Sequence, residues 1–175
     1  FLKFIGGLNP LTFYRKMKDV ALFAFSTSSS AATIPVTLRT VNQDLGVNQN
    51  VASFVVPVGA TINMDGTAIM QGLATVFIAQ MSGIDLTLFQ YIQVVLLAVA
   101  TSIGTAAVPS AGTITLIIIL QQFNLPLEAI GIILAVDRVL DMIRTSVNVT
   151  GDAAIACIVA KTENQLDENI FNSKA

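Results

Sequence analysis

Five polar side chains recur within one apolar segment at spacings of 4, 3, 4 and 4: Asp137, Asp141, Arg144, Asn148 and Asp152. At about 100° per residue they fall within an arc of roughly 80° on one helix face. The opposite face reads Ile133, Val136, Leu140, Val147 and Ile158. At bilayer depth a charge costs about 2.5–3.5 kcal/mol, so four on one stripe cost on the order of 10 kcal/mol against lipid. They must face protein or a ligand. An internal ladder of ion pairs accounts for one Asp–Arg couple. It fits less well with three carboxylates set against one or two arginines, an excess of negative charge that calls for cations. Arg144 presents a planar fork suited to a carboxylate. Asp141, three residues earlier, presents an anion suited to an ammonium group. A cation and an anion one turn apart match an amino acid with a second carboxylate. Arg138 lies toward the edge of the stripe, where it either pairs with an acid or tunes the site.

Further chemistry sits upstream. Asn63-Met64-Asp65-Gly66 interrupts the apolar stretch from Val51 to Met81. Asp65 reads there as another buried carboxylate, and the glycine frees carbonyls of the kind that coordinate sodium in broken helices. The alternative is a kinked structural helix, which leaves Asp65 without a partner. Two small-residue tracts, Ser28 to Ser30 and Ser102 to Gly112, offer hydroxyls and backbone N–H groups to carboxylates. Small residues at helix contacts also serve plain packing. Asn148-Val-Thr150 matches a glycosylation acceptor pattern, a chance match at membrane depth.

The elements carrying these groups are apolar. Of 175 residues 54% are hydrophobic and 11% charged, against about 25% charged in soluble domains. A very apolar soluble α/β domain is the alternative. The net charge of −2 offers no basic patch and speaks against nucleic acid as a partner. One cysteine, Cys157, excludes an internal disulfide framework, and the absence of His removes the commonest general base and zinc ligand. No nucleophile stands beside a base, so an enzyme is not expected. The chain opens inside an apolar segment with no signal peptide, which reads as a fragment whose upstream spans are missing.

The chain repeats itself. Ser102 lies 74 positions after Ser28, and Asp137 lies 74 after Asn63. Each half reads as a short apolar limb, a small-residue tip with a proline (Pro35, Pro109), a second limb, then a long helix with polar residues midway. The limbs fall short of the ~20 residues a span requires, so they suit re-entrant hairpins, whose irregular tips are tolerated when buried in protein. Two such units in series must be oppositely oriented, the inverted-repeat logic of secondary transporters. The expected class is an all-α membrane protein. Residues 1–20 end a preceding span and 21–45 form the first hairpin. Residues 50–81 form a broken transmembrane helix and 87–124 the second hairpin. Residues 128–161 form an amphipathic transmembrane helix, and 162–175 a frayed cytoplasmic tail. In that topology Arg15, Lys16, Lys18, Arg39, Lys161 and Lys174 lie inside, while the turns MSGIDLTLFQ and QQFNLPLE carry no Lys or Arg.

With STSSSAATIPVT, GATINMDGT, TSIGTAAVPSAG and DRVLDMIRTSVNVTGD in this order, the chain resembles the glutamate transporter family, the dicarboxylate/amino acid:cation symporters. The resemblance runs from about Leu11 to Glu163. It implies a homotrimer in the cell membrane, with transport domains moving like elevators and the second hairpin as the extracellular gate. It implies co-transport of sodium ions with aspartate or glutamate. Transferred position by position, the substrate meets Ser28, Ser29 and Ser30, Met64 and Thr67, and Val108 and Gly112. On the last helix, Asp137 joins the substrate set. Arg144 takes the side-chain carboxylate, Asp141 the amino group, and Thr145 and Asn148 the remaining polar groups. One sodium uses carbonyls of Gly59, Asn63 and Asn148 with the Asp152 carboxylate. A second uses backbone oxygens of Thr61, Ser102, Ile103 and Thr105. A third uses Asn63 and Asp65 with an absent span.

The chain also departs from the family pattern. Relatives carry an arginine at the Ser28 or the Met142 position, and this chain has neither, leaving Arg138 as a candidate for that charge. Ala107 and Ser110 replace glycines common in the second tip. Retention of Thr61, Asn63, Met64, Asp65 and Asp152 favours sodium over proton coupling. Arg144 with Asp141 favours an acidic amino acid over neutral amino acids or plain dicarboxylates. A membrane enzyme or non-transporting receptor built on the same acids is the reading from another class.

Overall fold

The computed structural model describes residues 1–173. Eight α-helices follow in order among them: α1 (Pro10–Thr27), α2 (Ser30–Gln43), α3 (Gln49–Ile62), α4 (Asp65–Met81), α5 (Leu88–Ile103), α6 (Ala111–Gln122), α7 (Ile130–Thr162) and α8 (Glu168–Asn172). The described residues form no strand, only an isolated antiparallel bridge between Val47 and Leu166.

The helix boundaries follow from local chemistry. Pro10 starts α1, where its missing N–H is no loss, and the Asn9 side chain accepts from Leu11 N–H at 2.9 Å. Ser28 ends α1 in the left-handed region at φ 51°, and Ser29 caps α2 by accepting from Ala32 N–H at 3.2 Å. Thr87 and Gln90 close a capping box at the start of α5. Helix α1 thus runs unbroken through residue 20, where the sequence suggests a junction, and α2 ends at Gln43, inside the 21–45 segment expected as the first hairpin. The tail is not frayed over its described part: α8 forms, and Phe171, an apolar side chain in a polar stretch, is fully buried. Lys174 lies outside the described residues.

Helix α7 is the spine, 33 residues and about 50 Å long. Its second half packs with α1, the α2–α3 turn, the start of α3 and the tail, in a core that includes Phe13, Met17, Val41, Leu45, Val149, Ala153 and Phe171. Its first half packs with α4 and α6 around Ile78, Leu116, Leu120 and Leu125. Ile133, expected on the outward apolar face, belongs to this second core. The polar stretch of α7 lies between the two cores. Among the described residues no helix is both long and apolar enough to cross a membrane alone. Helices α3 to α6 are short, and α1 and α7 are dense in charge.

Candidate functional site

All five residues of the α7 stripe are at most 5% exposed, as the cost of placing them against lipid requires. Four of them bond to other elements, while Arg144 bonds within α7. The Thr113 hydroxyl at the start of α6 donates to Asp137 Oδ1. Asp141 Oδ1 accepts from Arg144 Nε at 3.1 Å and from Nη2, while Oδ2 accepts from the Ser110 N–H at 2.8 Å. Asn148 Oδ1 accepts from Gly66 N–H at 2.8 Å, and its amide nitrogen faces Thr67 Oγ1 and Met64 Sδ, both at 3.3 Å. Asp152 Oδ1 accepts from Asn63 Nδ2 at 3.0 Å. One helix face therefore holds the second tip by two acids and the broken helix by Asn148 and Asp152.

The α3–α4 break spans only Asn63 and Met64, which leave helical geometry at ψ 77° and 50°. Gly59 precedes it, and a Cβ there would stand 2.6 Å from Asp152 Oδ1, so only glycine lets the carboxylate lie against α3. The two tips meet each other. The Ser29 hydroxyl donates to Ala107 O at 2.9 Å, and Ala31 N–H to the same oxygen at 3.3 Å. Both tips use a serine with positive φ, Ser28 at 51° and Ser110 at 61°, a sparsely populated conformation outside glycine.

Between the tips, Met64 and α7 lies a narrow cavity with room for about one water molecule. Ser28, Ser30, Met64, Thr67, Val108, Gly112, Asp141, Arg144, Thr145 and Asn148, all expected at the substrate, line it, as do Thr105 and the Ala106–Ala107 tip. Two expected residues do not. Ser29 is turned to the other tip, and Asp137 is engaged by Thr113. Among the described residues two buried polar atoms have no hydrogen-bond partner, Arg144 Nη1 and Ser28 Oγ, both from residues lining this cavity. A Cβ at Gly112 would stand 2.7 Å from Arg144 Nη1, so the missing side chain is what lets the guanidinium reach the tip.

Other expected residues fall differently. Asp65 is exposed on the described chain, not buried, because it opens α4 at the break and reaches only the surface beside Gly151. A negative charge at a helix start is favoured there without a cationic partner. Arg138 is exposed and makes no ion pair among the described residues, so it neither pairs with an acid nor enters the cavity. Thr61 and Ile103 are exposed, while Ser102 and Thr105 are buried. Among the described residues no three His, Cys, Asp or Glu side chains converge as a metal cluster.

Sequence reasoning missed Gln71. It is fully buried, donating to Gly112 O at 3.1 Å and Thr115 Oγ1 at 2.6 Å, and accepting from Thr101 Oγ1 at 2.9 Å. It ties α4 to both α5 and α6. A glutamine in the middle of an apolar helix was the available signal, since a buried amide must find partners.

The sequence pattern of the sodium:dicarboxylate symporter family matches residues 1–162. The chain belongs to the sodium:dicarboxylate symporter family. The symporter-family chain is 48% identical over 151 residues to an excitatory amino acid transporter of Caenorhabditis elegans, covering 86% of this chain and 30% of that protein. It is 48% identical over 151 residues to excitatory amino acid transporter 2 of Homo sapiens, covering 86% and 26%. Excitatory amino acid transporter 3 of Mus musculus is 48% identical over 167 residues, covering 95% and 32%. The chain therefore spans about a third or less of the length of these curated relatives. The family is one of transporters, not enzymes.

Proposed function

We propose that the protein is a membrane symporter that moves aspartate or glutamate together with sodium ions. The observation that carries this reading is the pair of unpartnered buried atoms on one cavity, Arg144 Nη1 and Ser28 Oγ. Leaving a buried donor unsatisfied costs about 1–3 kcal/mol, more for a charged group. A ligand carboxylate beside them removes that cost. Asp141 is bonded to Arg144 and to the Ser110 N–H, so it orients the guanidinium and offers its charge to a ligand ammonium once Ser110 moves away. Thr145, Asn148, Met64, Thr67, Val108 and Gly112 supply the walls.

An amino acid is larger than the cavity, so a tip must withdraw for it to enter and return to enclose it. Sodium ions are cargo in this reading. Asp152, with carbonyls of Gly59, Asn63 and Asn148, takes one. Oxygens of Thr61, Ser102, Ile103 and Thr105 take a second, and Asn63 with Asp65 and an upstream span a third. The pairs α1–α2 and α5–α6 act as re-entrant hairpins of an inverted repeat, within an elevator-like domain of a homotrimer in the cell membrane. Lys16 and Lys161 lie at one end of the molecule with the tail, and the Lys/Arg-free turns pack in the opposite core. That arrangement supports the positive-inside topology.

Uptake of labelled aspartate by the full-length protein in proteoliposomes tests the reading. Uptake is expected to require external sodium. Persistence in choline medium, with loss on collapsing a proton gradient, would favour proton coupling instead.

A further inference from the structure

The narrow cavity admits an amino acid only if one tip leaves α7, and the two helix pairs are anchored very differently at their far ends. At the base of the first pair, Lys16 of α1 is buried, and its ammonium group has three partners. It donates to Asp44 O at the end of α2 (2.9 Å), to Ile170 O in α8 (2.6 Å) and to Ser173 Oγ (3.1 Å). With three protons and three acceptors, the donor capacity of the lysine is filled. The α2–α3 turn is joined to the tail separately. Asn48 N–H donates to Gln165 O at 3.0 Å, Asp167 N–H donates to Gly46 O at 2.8 Å, and Val47 bridges Leu166. Gly46 has φ 74°, and a Cβ there would stand 2.5 Å from Asp167 O, so only glycine permits this closeness. Phe171 seals the join, fully buried in one core with Leu45 and Val47.

Among the described residues the base of the second pair has no such tie. Its hydrogen bonds stay local: Thr87 with Gln90, Phe123 N–H to Ile119 O, and Asn124 N–H to Gln121 O. What holds it is apolar packing of Leu86, Phe123 and Leu125, which is non-directional and tolerates sliding.

We propose that Lys16 is a positioning residue for transport: together with the tail segment it clasps the first helix pair shut, so that substrate enters and leaves past the second tip only. This rests on the transport reading above and extends it to residues far from the cavity. The charge-assisted bonds of Lys16 are directional and desolvated, and each is stronger than a neutral bond. Without them the first tip gains freedom to part from Ala107, and the cavity leaks on that side.

The test uses the full-length protein in proteoliposomes loaded with labelled aspartate. Two rates are compared: efflux into medium free of sodium and substrate, and exchange against external aspartate with sodium. Their ratio does not depend on how many copies fold, so a merely structural role leaves it unmoved. Lys16→Met is expected to raise the efflux-to-exchange ratio about tenfold, the factor for roughly 1.4 kcal/mol, and Lys16→Arg to restore it toward the original value. An unchanged ratio in Lys16→Met overturns the clasp alone. A parent protein that exchanges no acidic amino acid overturns the transport reading and the clasp with it. If Lys16→Met does not fold, Val47→Cys with Leu166→Cys decides the matter. Oxidising that pair locks the turn to the tail, and exchange at the original rate is expected. Exchange that stops on oxidation and returns on reduction shows that the join must open, and overturns the proposal.

Discussion

Arg144 is held on one side by Asp141 and left open on the other, with Nη1 facing the tip where Gly112 has no side chain. That asymmetry makes the guanidinium a pre-aimed receptor, since the carboxylate of Asp141 fixes the fork before any ligand arrives. Arg144→Cys is expected to lower aspartate affinity ten- to hundredfold, the equivalent of about 1.5–3 kcal/mol for lost charge-assisted bonds. Uptake of small neutral amino acids should persist or rise, which competition assays with serine or alanine would reveal. Unchanged aspartate affinity rules out this role. Asp152 acts elsewhere on the stripe, against Gly59 and Asn63. Asp152→Asn keeps the shape and removes the charge, so the sodium concentration for half-maximal uptake should rise at least about tenfold, as loss of a paired charge implies. A sodium titration that does not move excludes Asp152 as a cation ligand.

At the scale of elements, the second tip is fastened by groups from three helices: Asp141 and Asp137 of α7, Gln71 of α4, and Thr101 of α5 acting through Gln71. Gln71→Leu removes the amide and with it the bonds to Gly112 O, Thr115 Oγ1 and Thr101 Oγ1. The expected cost is about 1–3 kcal/mol, read as a lower thermal midpoint in detergent, with aspartate raising the midpoint by less than it does in the parent protein. A variant with the parent midpoint and ligand response would show that the network carries no load. How far these elements could be read in advance depended on their chemistry. The break at Asn63 and Met64 and the length of α7 were legible because polar residues inside an apolar run are costly unless they interrupt the helix or gather on one face. The continuity of α1 through residue 20 was not, because a basic cluster in a helix looks like a boundary until the buried partners of Lys16 are known.

For the whole molecule, α7 joins two apolar cores with the polar site between them. Much of the outer surface is apolar: Phe54, Leu73, Leu96 and Ile114 are each more than 60% exposed. Exposed patches of that extent mark surfaces meant for lipid or protein. The 175-residue chain produced alone is therefore expected to need detergent or lipid to stay dispersed. Removing detergent should shift it to the void volume in size-exclusion chromatography, and a monodisperse detergent-free monomer would contradict the membrane reading.

The sequence by itself determined that the stripe from Asp137 to Asp152 had to be buried, because helical periodicity places the residues on one face and their charge forbids lipid. It also determined which family the motifs belong to and most of the residues around the cavity. Tertiary structure alone decided the pairings. It turned Ser29 to the opposite tip, engaged Asp137 with Thr113, and left Arg138 and Asp65 at the surface. It brought Gln71 to Gly112 across 41 positions and Lys16 to Ile170 across 154. Spacing along a helix reports which residues share a face, but a hydrogen bond between distant segments depends on how whole elements dock, and no local pattern encodes that distance.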